Sequence, residues 1–374
     1  MSNIGEFELI GRISAAANVP PGVTGIGDDC SIMPQRDGLD TLVTTDLLVE
    51  DKHFLLSDIS PKDLGWKSAA VNISDIAAMG GRPTGAFLSI ALPPATHFEQ
   101  CLSERSGEIS PLAAPGRNDK VTDEIAEPCH LERSPEGGVE RSSAALAEWV
   151  DRFIKGFLEL CGRFGVTLLG GDTSSSPDKL FINVTMLGEC PHGRALLRSS
   201  ARPGDMICVT GPLGDAAAGL RLIFERQSGR TLTPYEEALV RRHYRPMPKV
   251  LEGQVLAGIA GVHAAMDISD GIASDLMHIL DASSVSAEID LAAVPLSEEL
   301  RSVCSSRGWD AEELAVCGGE DYELLFTIAP EALDAVQKAL EGRCAVIGRV
   351  LESNPGRIIW KGGAEEYYKG FTHF

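Results

Sequence analysis

The chain is poor in positive charge. Its 374 residues carry 33 Lys and Arg against 54 Asp and Glu, a net charge of −21. This balance disfavours a polyanion such as nucleic acid as the main partner. There is no run of about 18 apolar residues, so nothing in the chain is expected to span a membrane. The first residues, Met1-Ser-Asn-Ile-Gly-Glu-Phe-Glu8, have neither a basic stretch nor an apolar core, which argues against a signal peptide. Nine cysteines are scattered without a C-x-x-C pair, the pattern of reduced, mostly buried thiols in a cytoplasmic protein. Neither G-x-G-x-x-G nor G-x-x-x-x-G-K-[ST] occurs, so a Rossmann fingerprint and a P-loop are both unsupported. An H-E-x-x-H motif, a Cys/His cluster and a Ser-His-Asp arrangement are missing as well. With 44% hydrophobic residues and a length sufficient for two cores, the chain reads as a soluble, two-domain globular protein.

What the sequence does contain is a series of acidic junctions. In Ala264-Ala-Met-Asp-Ile-Ser-Asp-Gly-Ile-Ala-Ser-Asp-Leu276 an apolar run ends in Asp267, Ser269 and Asp270, and helical spacing follows through Leu276, Ile279 and Leu280. Two carboxylates and a hydroxyl thus stand where a strand ends and a helix begins. Helix N–H groups suit a phosphate there, and carboxylates recruit the cation that accompanies it. Simple helix capping by Ser269 or Asp270 is the plainer alternative. The glycine-punctuated loop Gly22-Val-Thr-Gly-Ile-Gly-Asp-Asp-Cys30 offers Asp28 and Asp29, either as hard oxygen ligands or as an Asx-type turn. Leu39 to Leu48 reads as a strand with Thr44, Thr45 and Asp46 towards its end and His53 just beyond. A further strand ends in Gly170-Gly-Asp-Thr173, and Cys317-Gly-Gly-Glu-Asp-Tyr-Glu323 is an acidic glycine turn feeding a strand to Ile328. If these carboxylates converge, their repulsion has to be neutralised, and hard oxygens select Mg²⁺ over Zn²⁺. Mg²⁺-dependent handling of nucleotide phosphates is then the natural chemistry. Spacing alone leaves a scattered set of turn aspartates equally open.

Ser60-Pro-Lys-Asp63 is a helix start, and the spacing predicts a helix through Leu64, Val71 and Ile76 to Met79, stopped by Gly80-Gly81 and Pro83. It carries Val71-Asn-Ile-Ser-Asp-Ile-Ala-Ala78, which echoes Met266-Asp-Ile-Ser-Asp-Gly-Ile-Ala273 and hints at two related half-sites. A short helix is expected over 5–18, and strands over Ala86–Leu92 and Phe181–Gly188. Residues 101–143 carry nine acids against five bases with no sustained period, and read as a mobile insertion. Helical pattern resumes from Ala144 to Phe164. After Pro203-Gly-Asp205 come a strand to Thr210, a Gly211-Pro-Leu-Gly-Asp215 loop into a helix, and short strands from Val346 onward. Interleaved strands and helices give an α+β class.

Six motifs stand in order: Gly25-Ile-Gly-Asp-Asp-Cys30, Thr44-Thr-Asp46, Val71-Asn-Ile-Ser-Asp-Ile-Ala-Ala-Met-Gly-Gly81, Gly170-Gly-Asp-Thr173, Met266-Asp-Ile-Ser-Asp-Gly271 and Cys317-Gly-Gly-Glu-Asp-Tyr-Glu-Leu324. Together they resemble the thiamine-monophosphate kinases along the whole chain apart from 101–143. The resemblance implies the two-domain fold shared with aminoimidazole ribonucleotide synthetase and selenophosphate synthetase. Residues 1–190 would form an N-terminal domain that binds metal and ATP and pairs through its sheet into a homodimer. Residues 191–374 would form a C-terminal α/β domain, with ATP and substrate in the cleft between domains near the dimer interface. The implied reaction is ATP plus thiamine phosphate giving ADP plus thiamine diphosphate, with several Mg²⁺ ions. The implied metal ligands are Asp29, Thr44, Thr45, Asp46, Asp75, Asp172, Asp267 and Asp270. The implied ATP contacts are Gly171, Arg198 and Ser269, and the implied substrate contacts are His53, Glu320 and Tyr368. No catalytic base beyond the metal ligands is needed, because the acceptor is a phosphate already largely ionised at pH 7, and alignment with charge neutralisation suffices.

The chain departs from the family pattern in three places. The 101–143 segment is foreign to it and resembles a translated mobile element, Ser175 stands where arginine is common, and Tyr368 stands where tryptophan also occurs. Selenophosphate synthetase chemistry would want a reactive cysteine in a glycine-rich N-terminal segment, and a hydrogenase-maturation role a C-terminal cysteine in place of His373-Phe374. A non-catalytic Mg-nucleotide sensor is the reading of a different class, and the intact acidic motifs argue against it.

Overall fold

The computed structural model describes residues 22–24, 27–35, 37–98, 136–226, 231–352, 356–362 and 368, with the backbone alone over 136–144. The helix expected over 5–18 and positions 101–135 of the expected insertion lie outside the described residues. Two mixed sheets organise the rest. The first holds β1 (Ser31–Pro34), β2 (Leu39–Val49), β3 (Arg82–Leu92), β4 (Thr167–Ser175) and β5 (Phe181–Pro191) in the order β1-β2-β5-β3-β4. Its neighbours run antiparallel except β3 and β4. Helix α1 (Pro61–Ala78) precedes β3, and α2 (Glu136–Phe164) lies between β3 and β4 in the chain.

β2 shows the alternation of a sheet covered on one face: Asp40, Leu42, Thr44 and Leu48 are buried, while Thr45 and Leu47 face outward. The covering element is α1. Its start is fixed locally, with Ser60 Oγ accepting from the Asp63 N–H at 3.1 Å and Pro61 at the first helical position. It ends at Met79, followed by Gly80 at φ +71°. α1 is buried around nearly its whole circumference, because it packs on the first sheet, on α2 and on the second half of the chain.

The second half comprises β6 (Met206–Val209), α3 (Asp215–Arg226), α4 (Pro234–Tyr244), α5 (Val250–Gly258), β7 (Val262–Asp267), α6 (Ile272–Ser283), β8 (Ser286–Asp290), α7 (Glu298–Arg307), α8 (Ala311–Cys317), β9 (Leu324–Ile328), α9 (Leu333–Ala339), β10 (Ala345–Leu351) and β11 (Ile358–Lys361). Its six-stranded sheet has the order β11-β8-β10-β6-β9-β7, and a short 3-10 turn, Arg198–Ser200, leads into it. Each half has its own apolar core, and Ala78 of α1 joins the cluster around Leu256 and Phe326 of the second. No helix among the described residues is long and apolar enough to cross a membrane. The seven described cysteines are all thiols; Cys317 is half-buried and the rest are buried.

One expectation needs correction. α2 begins at Glu136 and not at Ala144, so the last part of the segment read as a mobile insertion is helical backbone. That turn is Gly- and Ser-rich and shows no apolar stripe, while Glu136 and Glu140 sit favourably at the positive end of the helix dipole. The echo between Val71–Ala78 and Met266–Ala273, which hinted at two related half-sites, joins two unlike local structures. The first stretch is mid-helix, the second a strand end, a turn and a helix start. The two do meet, since Ser74 Oγ donates to Asp267 Oδ2 at 2.5 Å.

α1 and α2 touch backbone to backbone. A Cβ on Gly156 would run into the Lys62 carbonyl, and one on Gly65 into the Phe153 carbonyl, whereas a Cβ on Gly162 of the same α2 meets nothing within 4 Å. Gly156→Ala should therefore destabilise the protein by about 1–3 kcal/mol. Gly162→Ala should stabilise it by up to about 1 kcal/mol through helix propensity alone. Denaturant unfolding of the two variants checks the pair, and equal effects would contradict the helix contact.

Candidate active site

The acidic junctions of the two halves converge where α1 meets β7. Asp29 arrives on the loop before β1, Asp75 on α1 and Asp267 at the end of β7, with carboxylate oxygens within 4.8 Å of one another. Thr44 Oγ1 donates to Asp75 Oδ2 at 2.5 Å, and Ser74 Oγ donates to Asp267 Oδ2. Asp46 lies alongside, its backbone N–H held by Asn72 Oδ1 at 3.1 Å. Burial first, then mutual repulsion, drives these carboxyls up. Asp267 is pushed to about 7 and Asp46 to about 6, and Asp75 rises well above the carboxylate range. Burial also raises Asp29, although the Arg198 guanidinium paired with it opposes the rise.

Arg198 is the cation placed against this cluster. Its backbone N–H donates to Asp28 Oδ1 at 2.7 Å and its guanidinium to Asp29 Oδ1. Asp29 Oδ2 and Arg198 Nε are nonetheless buried without a hydrogen-bond partner. One orphaned, buried carboxylate oxygen, Asp29 Oδ2, facing two further carboxylates is what a divalent cation such as Mg²⁺ satisfies, so these carboxylates fit that ion.

The cluster opens into a cavity of about 650 Å³ lined at one end by Asp46, Asp75, Asp267, Ser269 and Asp270. Elsewhere its wall carries His53, Glu320 and the apolar side chains of Leu220 and Phe224 on α3. His53 Nδ1 accepts from the Val49 N–H at 2.9 Å. The two glycine turns that carry Ser269 and Glu320 are zipped together. Glu320 N–H donates to the Ser269 carbonyl at 2.7 Å and Tyr322 N–H to the Ile268 carbonyl at 2.9 Å. A Cβ on Gly319 would run into the Ser269 carbonyl, which is why glycine stands there. Asp275, in the first turn of α6, reaches back to the N–H groups of Ser269 and Asp270 at 3.1 Å each.

The structure brings Asp29, Thr44, Asp46, Asp75, Arg198, Asp267, Ser269 and Asp270 together, with His53 and Glu320 on the same cavity. It does not bring in four others. Thr45 follows the alternation of β2 to the opposite sheet face, where its hydroxyl donates to the Val184 carbonyl at 3.1 Å. Asp172 is exposed on the outer strand β4, its carboxylate accepting from the Thr173 N–H at 2.9 Å. Gly171, at φ +154°, has a structural reason to be glycine, because a Cβ would strike the Leu88 carbonyl of β3. Tyr368 is not among the residues lining the cavity: its hydroxyl donates to Glu312 Oε1 of α8 at 2.6 Å and its ring lies 5.2 Å from Trp360.

Sequence reasoning missed Lys67, Ser74, His243 and Asp275. Lys67 could have been found, since it falls on the apolar spacing Leu64, Lys67, Val71 of α1, where a charge is out of pattern. His243, at the end of α4, carried no such signal.

Residues 27–110 and 137–190 match the AIR synthase related protein N-terminal domain, and residues 202–361 its C-terminal domain. The chain is 35% identical over 386 residues to the thiamine-monophosphate kinase of Escherichia coli (strain K12), covering 99% of this chain and 98% of that one. It is 33% identical over 380 residues to that of Bacillus subtilis (strain 168), covering 99% of each. The solved structure of AaThiL complexed with AMPPCP and TMP matches with a TM-score of 0.75 at 31% identity, over 100% of this chain and 98% of the other. Hydrogenase maturation protein HypE in complex with ATP matches with a TM-score of 0.59 at 19% identity, a likeness of fold alone. With carboxylates and cavity assembled from both matched domains, the chain belongs to the AIR synthase related proteins and, within them, to the thiamine-monophosphate kinase family.

Proposed function

We propose that this protein transfers the γ-phosphoryl group of ATP to thiamine phosphate, giving ADP and thiamine diphosphate, with Mg²⁺ as the required cation. The carrying observation is the carboxylate triad of Asp29, Asp75 and Asp267 at one end of a cavity that also holds Glu320 and His53. AaThiL, which shares the fold over its whole length, is complexed with AMPPCP, an ATP analogue, and TMP. Asp29, Asp46, Asp75, Asp267 and Asp270 would hold the metal. Bound Mg²⁺ supplies neutralisation of phosphate charge. Arg198 adds a guanidinium at the same end, and the N–H groups of Ser269 and Asp270 stay tied to Asp275, which fixes that turn before any ligand arrives. The bond between the γ-phosphorus and the ADP oxygen breaks, and one forms to an acceptor phosphate oxygen that needs no base at neutral pH. A cytoplasmic location agrees with the buried thiols.

The outer face of the first sheet supports a homodimer. Leu47, Phe87 and Leu169 lie there exposed at 51%, 41% and 54% of their surface, on the side away from α1.

Turnover with thiamine phosphate and not with free thiamine tests the reaction; equal use of both would reject it. Asp267→Asn and Asp75→Asn should each lower kcat by roughly 10²–10³, about 3–4 kcal/mol, by analogy with other preorganised electrostatic groups. Neither should lower the metal-free unfolding midpoint, because each removes repulsion and no apolar contact.

The raised carboxyls fix a pH dependence. Asp46 at about 6 and Asp267 at about 7 in the fold, against 3.8 for a free side chain, bind protons more tightly folded than unfolded. Their contribution to stability is therefore present at low pH and lost as pH rises from about 4 through about 7. Metal-free Tm should fall between pH 5.5 and pH 8 more steeply than in Asp267→Asn. The gain in Tm on adding Mg²⁺ should be larger at pH 8, where no proton has to be displaced. A Mg²⁺ gain independent of pH would remove the metal assignment.

Phe87→Asp should convert the dimer to monomer in sedimentation velocity; an unchanged dimer would place the interface elsewhere.

A further inference from the structure

Lys67 is fully buried, 1% exposed, on a helix whose other buried side chains, Asp75 of the carboxylate cluster aside, are apolar or small and neutral. An ammonium in that position is tolerated only with a partner. Its partner comes from the other half of the molecule: Nζ donates to Glu320 Oε2 at 2.8 Å. His243, at the end of α4, closes the group, with Nε2 3.4 Å from Lys67 Nζ and Nδ1 3.0 Å from the same Glu320 oxygen. Burial, then the Lys67 charge, lowers His243 to about 4, so the imidazole is neutral. The nitrogen that faces an ammonium can only accept, which leaves the imidazole proton to Nδ1, close to Glu320 but without a hydrogen-bond partner. Burial alone would raise Glu320, but the charge and hydrogen bond of Lys67 outweigh it and hold the carboxyl below its ordinary value.

The loop that carries Glu320 is strained. Glu320 at φ +67° and Tyr322 at φ +51° are both non-glycine residues in the left-handed region, a conformation that persists only where the surroundings over-determine it. Backbone hydrogen bonds to Ile268 and Ser269 pin one side of this loop, and Lys67 pins the side chain. Both side-chain contacts fall on Oε2, which leaves Oε1 for whatever the cavity binds.

We propose that Lys67, assisted by His243, is a positioning residue for the acceptor end of the cavity. It acts through Glu320, orienting that carboxylate and holding the 318–322 loop against the site, and does not touch the reacting phosphates. This rests on the kinase reading above for its kinetic consequence, but not for its structural one.

Three variants test it: Lys67→Met, Glu320→Gln, and the two combined. Lys67→Met leaves a buried carboxylate without its counter-charge, and should raise KM for thiamine phosphate by about tenfold while KM for ATP and kcat stay within about twofold. The combined variant strands no charge and should fold even where Lys67→Met does not. Its KM for thiamine phosphate should match that of Glu320→Gln within about threefold, because with Glu320 neutralised Lys67 has little left to orient. A combined variant at least about tenfold worse than Glu320→Gln would give Lys67 a ligand contact of its own and overturn the proposal. So would a Lys67→Met enzyme whose KM for ATP rises instead. Crystal structures of the wild type and the Lys67 variants decide the structural half without any substrate: Glu320 should leave the left-handed region when Lys67 is gone, and an unchanged loop would overturn the positioning role. If the wild type fails to phosphorylate thiamine phosphate, the kinase reading falls, and the loop comparison still decides this one.

Discussion

Like charges confined away from water set the terms for this molecule. At about 4 Å and an effective dielectric constant near 20, two carboxylates repel by about 4 kcal/mol. Asp29, Asp75 and Asp267 would form three such pairs if all were ionised, with Asp46 beside them, and it is this repulsion together with burial that raises them. Hydroxyls from Thr44 and Ser74 and one guanidinium from Arg198 relieve only part of that. The remainder is opposed by apolar burial, chiefly of α1, whose embedded surface fixes Asp75 and Ser74 where they would not otherwise stay. Apolar packing that holds carboxylates together is what the proposed cation site requires.

The two ends of the cavity differ in electrical character. At the triad the protein's own positive charge is insufficient. At Glu320 it is matched, since Lys67 cancels the carboxylate and neutral His243 fills the remaining space. The triad side is thus short of positive charge, while the Glu320 side presents an oriented hydrogen-bond acceptor on a cavity whose wall also carries Leu220 and Phe224. Neither half of the chain owns the site: α1 contributes Lys67 and Asp75, β7 contributes Asp267, and the turns around Ser269 and Glu320 complete it.

Much of this was legible in the sequence because acidic glycine turns and caps are local. Ser60-Pro61 marks the start of α1, Gly80 its end, and Asp267-Ile-Ser-Asp270 a strand end leading into a helix, all from neighbours in the chain. What was not legible depends on distant partners or on parity. Thr45 sits between two site residues in sequence, but pleating sends its side chain to the other face. Tyr368 found Glu312 and Trp360, a choice no local pattern reveals. The first turns of α2 are too polar and glycine-rich to show a helical stripe, although the helix is there. Lys67 is intermediate: its place on an apolar stripe was visible, while its partner lay 253 residues away.

The glycines that let α1 lie against its neighbours carry a mechanical consequence. Gly253 of α5 meets the Ala77 carbonyl, and Gly80 meets Ala257, so α5 lies against the end of α1 main chain on main chain or on a methyl group. Such a contact has no long side chain to swing aside as one layer slides over the other, and sliding of packed helices is what a shear motion requires. Whatever closing accompanies the arrival of a nucleotide is therefore left to short segments outside this contact. The gearing of this molecule lies in a few loop torsions mounted on a frame that does not give.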